Sequence, residues 1–153
     1  MTRFALQFGQ TQPGLVYQER ATVYGVCASP SGDLALAEIG PSGGLVLYDL
    51  PGGGLEASED EATALIREFQ EETGLLVRPE RLLCRAGQYW INQGAPRNSL
   101  ASFYRVTAEG EPSHPAEPDH RLVWMSPEAA IKRLRHEAHA WAVACWLRGG
   151  ADT

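Results

Sequence analysis

The sequence predicts an α/β (α+β) fold, a mixed β-sheet flanked by three helices, in a single domain over residues 1–153. Three observations predict it. Runs rich in β-branched and aromatic residues, punctuated by glycine and proline, fill much of the first 50 residues and recur over 82–107. The apolar period then changes near residues 58–73, where Ala62, Leu65, Ile66 and Phe69 recur at i, i+3, i+4 and i+7, the spacing of an amphipathic helix. Finally, 153 residues are enough for one hydrophobic core and few for two.

The elements follow in order. Residues 20–28 and 33–39 read as strands around Ser29-Pro30-Ser31-Gly32-Asp33, a hairpin turn. Leu45-Val46-Leu47-Tyr48 is a third short strand, and Pro51-Gly52-Gly53-Gly54 a turn leading to the helix. Ser58 as N-cap with Glu61 three residues on forms a capping box, and Gly74 is placed to end the helix in a left-handed conformation. Residues 82–92 and 98–107 are strands around Gln93-Gly94-Ala95-Pro96-Arg97. The three prolines within 108–119 make that stretch a loop, and 120–125 a last strand. Ser126-Pro127-Glu128 opens a helix by the rule that proline suits the first helical position, and a final helix covers about 136–148. Trp124, Trp141 and Trp146, with apolar neighbours, are expected in the core.

Composition narrows the function. The hydrophobic (44%) and charged (21%) fractions are those of an ordinary globular chain. No apolar run reaches the roughly 18–20 residues of a membrane span, and Met1-Thr2-Arg3-Phe4-Ala5-Leu6 lacks the apolar stretch of a secretory signal. Cys27, Cys84 and Cys145 are odd in number and form no C-x-x-C pair, so free thiols and a cytoplasmic location are expected. A net charge of −6 speaks against a nucleic-acid polymer, which calls for a basic stripe. It is compatible with a small phosphorylated ligand held through divalent cations.

The chemistry concentrates on the helix. At about 100° per residue, Glu68, Glu71 and Glu72 share one face, beside the apolar stripe. Three such carboxylates repel, and they lie near a helix C-terminus, where the macrodipole disfavours negative charge. Arg67 is spaced to reach Glu71, but one cation cannot neutralise three anions. A hard divalent ion with oxygen ligands removes the conflict.

The wider pattern resembles the Nudix box: glycine, five residues, Glu, seven residues, Arg-Glu, an apolar residue, one residue, Glu-Glu, one residue, glycine and an apolar residue. Gly53, Glu59, Arg67, Glu68, Phe69, Glu71, Glu72, Gly74 and Leu75 fill every position. Seven specified identities at roughly 7% each put a chance match on the order of one in 10⁸ per window. The resemblance implies a three-layer α/β/α sandwich and hydrolysis of a nucleoside diphosphate linked to a moiety X, with Mg²⁺ or Mn²⁺. Carried over by position, Glu71 and Glu72 are metal ligands, joined by the Gly52 carbonyl. Glu68 is a further ligand or the base that activates water. Arg67 orients the carboxylates, and Glu59 holds the loop to the helix.

Outside the box, Glu117 stands where family members often supply one more carboxylate, for metal or as base; the alternative is a polar loop residue. Asp119 and Glu111 are weaker candidates. His136 and His139, at i and i+3, fall in a segment that resembles a substrate-specificity region, and Tyr89 is a further candidate for contact with the substrate. The chain resembles nucleotide pyrophosphohydrolases of the 8-oxo-dGTP diphosphatase kind, with an oxidised nucleoside triphosphate as leading substrate. ADP-ribose or another nucleotide sugar is the alternative, and a non-catalytic Nudix sensor a third reading. The partner expected is thus a small-molecule nucleotide, with no nucleic-acid polymer and no membrane; a homodimer stays open.

Overall fold

The computed structural model describes residues 4, 6–40, 44–112 and 117–149. Residues 113–116 of the expected loop 108–119, and residues 1–3 and 5 of the segment read for a secretory signal, lie outside the described residues. Along the described chain the order is β1 (Gln7–Phe8), β2 (Gln18–Cys27), β3 (Leu34–Ile39), β4 (Leu47–Asp49), β5 (Gly52–Gly54), α1 (Glu61–Thr73), β6 (Val77–Asn92), β7 (Ala95–Ala108), β8 (His120–Met125), α2 (Pro127–Arg133) and α3 (Glu137–Gly149).

Two sheets form. Five strands run in the order β1-β6-β7-β2-β5, with β1 parallel to β6, β2 parallel to β7 and the other pairs antiparallel. Three antiparallel strands run β4-β3-β8. Helix α1 packs Ala64, Leu65 and Phe69 against Val23, Cys27, Ala35 and Val106, while α3 packs Ala138, Ala142 and Val143 against Val26, Ala86, Ala101 and Phe103. The alanines on both sides of the second interface let helix and sheet approach closely. The result is the expected α/β/α sandwich with one apolar core on each side. Truncating a fully buried anchor such as Phe69 to alanine removes on the order of 3–5 kcal/mol.

Local departures from the sequence reading have physical causes. Helix α1 is capped by Asp60, whose side chain accepts the Thr63 N–H at 2.8 Å, and not by Ser58, which sits in the preceding turn at φ 69°. Glu59 is engaged by Arg67 and by the Glu56 N–H, so the chain turns here and the helix starts two residues later. Ala62 is consequently exposed and Ala64 takes its place in the buried stripe. Gly74 ends the helix as expected, at φ 77°, donating to the Gln70 carbonyl. Strand β6 begins at Val77, five residues early, because irregularities between Pro79 and Arg81 and between Leu82 and Cys84 carry proline and charge along the ladder. The expected 93–97 loop shrinks to Gln93-Gly94, both at positive φ, a two-residue hairpin turn. Trp124 and Trp141 are 40% and 37% exposed, against the core placement expected of them; Trp146 does pack on the core. All three cysteines are free, and among the described residues no helix is long and apolar enough to cross a membrane.

Candidate active site

The stretch Gly52–Gly54, read from sequence as a turn, is an edge strand paired with Thr22–Tyr24 of β2. Gly52 has φ 152°, and a Cβ there would lie 2.1 Å from the Val23 carbonyl oxygen. On the next two residues the space is taken from opposite sides. A Cβ on Gly53 would lie 2.7 Å from Glu68 Oε1, and one on Gly54 would lie 2.1 Å from Arg20 Nε. Side-chain-free backbone thus forms a thin partition, with carboxylates against one side and a guanidinium against the other.

On the carboxylate side Arg67 is the hub. Its guanidinium reaches Glu59 at 2.7 and 2.9 Å, the Gly54 carbonyl at 3.2 Å, Glu68 Oε1 at 3.0 Å and Glu71 Oε2 at 3.3 Å. Glu59 thereby ties the loop to α1, and Arg67 fixes the rotamers of Glu68 and Glu71. Glu72 lies deeper: its Oε1 accepts the Gly52 N–H at 3.1 Å. Gly52 therefore meets the cluster through its amide in this geometry, whereas the sequence resemblance pointed to its carbonyl. The Glu117 N–H donates to the Glu71 carbonyl at 2.8 Å and the Glu117 carbonyl accepts the His120 N–H at 2.8 Å, so the turn 117–120 hangs from the end of α1. It brings in Glu117, Asp119 and His120, whose Nε2 lies 3.6 Å from Glu72 Oε2 and whose Nδ1 lies 2.9 Å from Asp119 Oδ1.

The electrostatics follow from this packing. Burial pushes the Glu72 carboxyl well above the usual carboxylate range, with Glu68, Asp49 and Glu117 adding to the rise against the opposing Gly52 N–H. Burial also raises Glu68, opposed by Arg67 and reinforced by Glu71 and Glu117. Glu59 goes the other way, down to about 2, because Arg67 donates to it. One arginine therefore serves Glu59, Glu68 and Glu71, while among the described residues Glu72 has only the His120 ring as a basic neighbour. A half-buried set of hard oxygen donors with uncompensated charge fits a divalent ion. Among the described residues no three acidic, cysteine or histidine side chains yet converge on a single point, since Glu68 and Glu71 lean on Arg67.

On the other side of β5 lies a cleft of about 180 Å³ lined by Arg20, Thr22, Tyr24, Gly53, Gly54, Trp90, Asn92, Arg97 and Ser99. The Thr22 and Ser99 hydroxyls bond each other at 2.9 Å on its floor. Arg135, locked to Asp49 by two 2.8 Å bonds, lies 5.0 Å over the Trp90 ring.

Three sequence candidates fall elsewhere than expected. His139 is a core residue, 3% exposed, whose Nδ1 accepts the Leu50 N–H at 3.1 Å while Tyr24 and Phe103 pack on its ring. Burial pushes it down to about 3, the neutral form an acceptor requires. His136 is also buried, edge-on beneath Trp90 at 4.8 Å. The two histidines lie beneath the cleft, where with its residues Tyr24, Trp90 and Ser99 they line a small adjoining cavity. Tyr89, adjacent to Trp90 in β6, points to the opposite face and packs on Tyr17 at 5.3 Å. Arg20, Trp90, Asn92, Arg97 and His120 were missed. Period-two alternation does place Trp90 with Asn92 and Arg97 with Ser99 on shared faces, but only the β2–β7 pairing joins them to Arg20.

A family model, the NUDIX domain, matches residues 17–147. Among curated proteins the chain is 31% identical to an RNA pyrophosphohydrolase of Zymomonas mobilis over 64 residues, 42% of this chain and 41% of that one. It is 29% identical to a MutT-like protein of Streptomyces ambofaciens over 87 residues, 57% of this chain and 53% of that one. The aligned region thus spans about half or less of the curated relatives. Among solved structures, a NUDIX hydrolase from Nitrosomonas europaea superposes with a TM-score of 0.73 at 23% identity, covering 86% of this chain and 90% of that one, a likeness of fold.

Proposed function

The chain belongs to the Nudix family, and from that premise we propose that it is a Mg²⁺- or Mn²⁺-dependent pyrophosphohydrolase acting on a nucleoside triphosphate, an oxidised purine nucleotide being the leading candidate. The observation that carries this reading is the half-buried Glu68–Glu72 pair pressed against a side-chain-free strand, with a basic, aromatic cleft on the strand's far side.

Glu68, Glu71 and Glu72 would hold the ion, with Glu117 completing the set. When bound, the ion supplies charge neutralisation on the phosphoryl oxygens and polarises a water. The chain supplies the rest. Glu68 would take a proton from that water through whichever carboxylate oxygen the ion leaves free. Arg67 keeps Glu68 in one rotamer through the 3.0 Å bond. Gly52–Gly54 lets the pyrophosphate pass close to backbone. The nucleoside end lies in the cleft, where Trp90 offers a stacking face and Asn92, Arg97 and Ser99 offer polar edges. This assigns base recognition to Trp90 and its neighbours, with His136 and His139 acting through the cleft floor. Incubating the protein with a panel of nucleotides and Mg²⁺ or Mn²⁺ tests the reading. Metal-dependent release of pyrophosphate from a triphosphate, abolished by chelator, is expected; full turnover in excess EDTA would overturn it.

A further inference from the structure

Beyond the box carboxylates, the turn 117–120 holds a group that the mechanism above leaves unused. His120 opens β8 with its ring 16% exposed, Nδ1 at 2.9 Å from Asp119 Oδ1 and Nε2 at 3.6 Å from Glu72 Oε2. The first distance is a hydrogen bond, in which Nδ1–H donates to the carboxylate. The second is too long for one. With the proton on Nδ1, Nε2 carries a lone pair, and it faces the carboxylate oxygen of Glu72 that the Gly52 amide leaves free. A positive charge placed between the two atoms, a proton or a metal ion, would be held by both. Around an octahedral ion two neighbouring donors at about 2.1 Å lie roughly 3.0 Å apart, so a shift of a few tenths of an ångström by each side chain brings the pair onto one ion. A histidine that ligates a metal through one nitrogen almost always donates its other N–H to a carboxylate, which fixes tautomer and ring orientation. Asp119 occupies that position.

We propose that His120, oriented by Asp119, is a nitrogen ligand that shares a divalent ion with Glu72, and that it biases the site towards Mn²⁺ over Mg²⁺. The proposal rests on the metal-dependent reading above. Its chemical basis is that an imidazole nitrogen is a softer donor than carboxylate or carbonyl oxygen. It is a poor match for Mg²⁺, which prefers oxygen, and a better one for first-row transition ions. The other described histidines, His136 and His139, are buried on the α3 side of the sheet and cannot supply this nitrogen.

The test is equilibrium Mn²⁺ binding to the full chain without substrate, read by electron spin echo modulation from imidazole ¹⁴N and by the Mn²⁺ dissociation constant. Wild type should show ¹⁴N coupling. His120→Asn should lose it and bind Mn²⁺ at least tenfold more weakly, with Mg²⁺ affinity changed far less; Asp119→Asn should weaken Mn²⁺ binding by roughly 10–100-fold. Circular dichroism and thermal unfolding of both variants establish that the fold persists. Tight Mn²⁺ binding without ¹⁴N coupling, or unchanged in His120→Asn, overturns the inference and leaves the proposed function standing; the histidine then pairs with Glu72 as a simple ion pair. Failure of wild type to bind either ion overturns both.

Discussion

The two sides of β5 are assembled by different means. On the carboxylate side, Glu59, Arg67, Glu68, Glu71 and Glu72 come from fourteen consecutive positions, joined by one turn hung from the end of α1. On the cleft side, Arg20, Trp90, Asn92 and Arg97 come from β2, β6 and β7 and meet only through strand pairing. The first side is a local motif whose geometry the helix dictates; the second is a product of tertiary structure. On the proposed function a division of labour follows: the carboxylate side would set the rate for every substrate and the cleft would decide which substrate is used.

The largest effect expected is on the carboxylate side. Glu68→Gln should lower kcat by roughly 10²–10⁴ for every nucleotide tested, the scale of a general base, with the far-UV circular dichroism unchanged. A loss confined to one substrate would break the division. Glu72→Gln should weaken metal binding in calorimetry as well as lower the rate.

The next effect lies beneath the cleft. His139 is held neutral at about 3 in the fold against about 6.5 in an unfolded chain. The unfolded state therefore binds the extra proton first, and stability falls as pH drops from about 6.5 towards 3. At pH 5 the loss is about 2 kcal/mol. Thermal unfolding from pH 7 to pH 5 should show it, and His139→Gln should flatten the slope. An equally steep slope in that variant would assign the acid sensitivity to other groups.

Trp90→Ala sharpens the comparison from the cleft. Stacking of a base on an aromatic ring contributes about 1–3 kcal/mol, so KM should rise roughly 5–150-fold and the ranking of nucleotides change, while metal affinity stays put. If KM were unaffected, the nucleoside end would lie outside this cleft. The smallest effect belongs to the cap: Asp60→Ala, which loses the bond to the Thr63 N–H, should lower the melting temperature slightly with the metal dependence intact.

How much was legible in advance follows from the same contrast. The carboxylate helix, Gly74 as its end and the layered fold could be read because each rests on local period or on a contiguous motif. The N-cap was misplaced because Ser58 and Asp60 are both good caps, and the choice is made by the Arg67–Glu59 bond, a contact across a turn. His136 and His139 sit at the expected place in the chain, but whether they line a cleft or support it depends on how deeply α3 docks against Tyr24 and Phe103. Burial of that kind leaves no mark on spacing. His120 gave no signal beyond its neighbours Glu117 and Asp119, since its approach to Glu72 needs the turn to fold back on α1.

The glycine strand has one more consequence, for assembly. β5 and β1, the two outermost strands of the five-stranded sheet, are three and two residues long, and Pro51 stands immediately before β5. Long unpaired strand edges invite another chain to add on, and short ones flanked by proline resist it. Among the described residues, neither of these two strands by itself gives a second copy more than a few backbone bonds to extend. Trp141 and Leu147, exposed on the outer surface of α3, give that helix an apolar area for side-chain contact between copies.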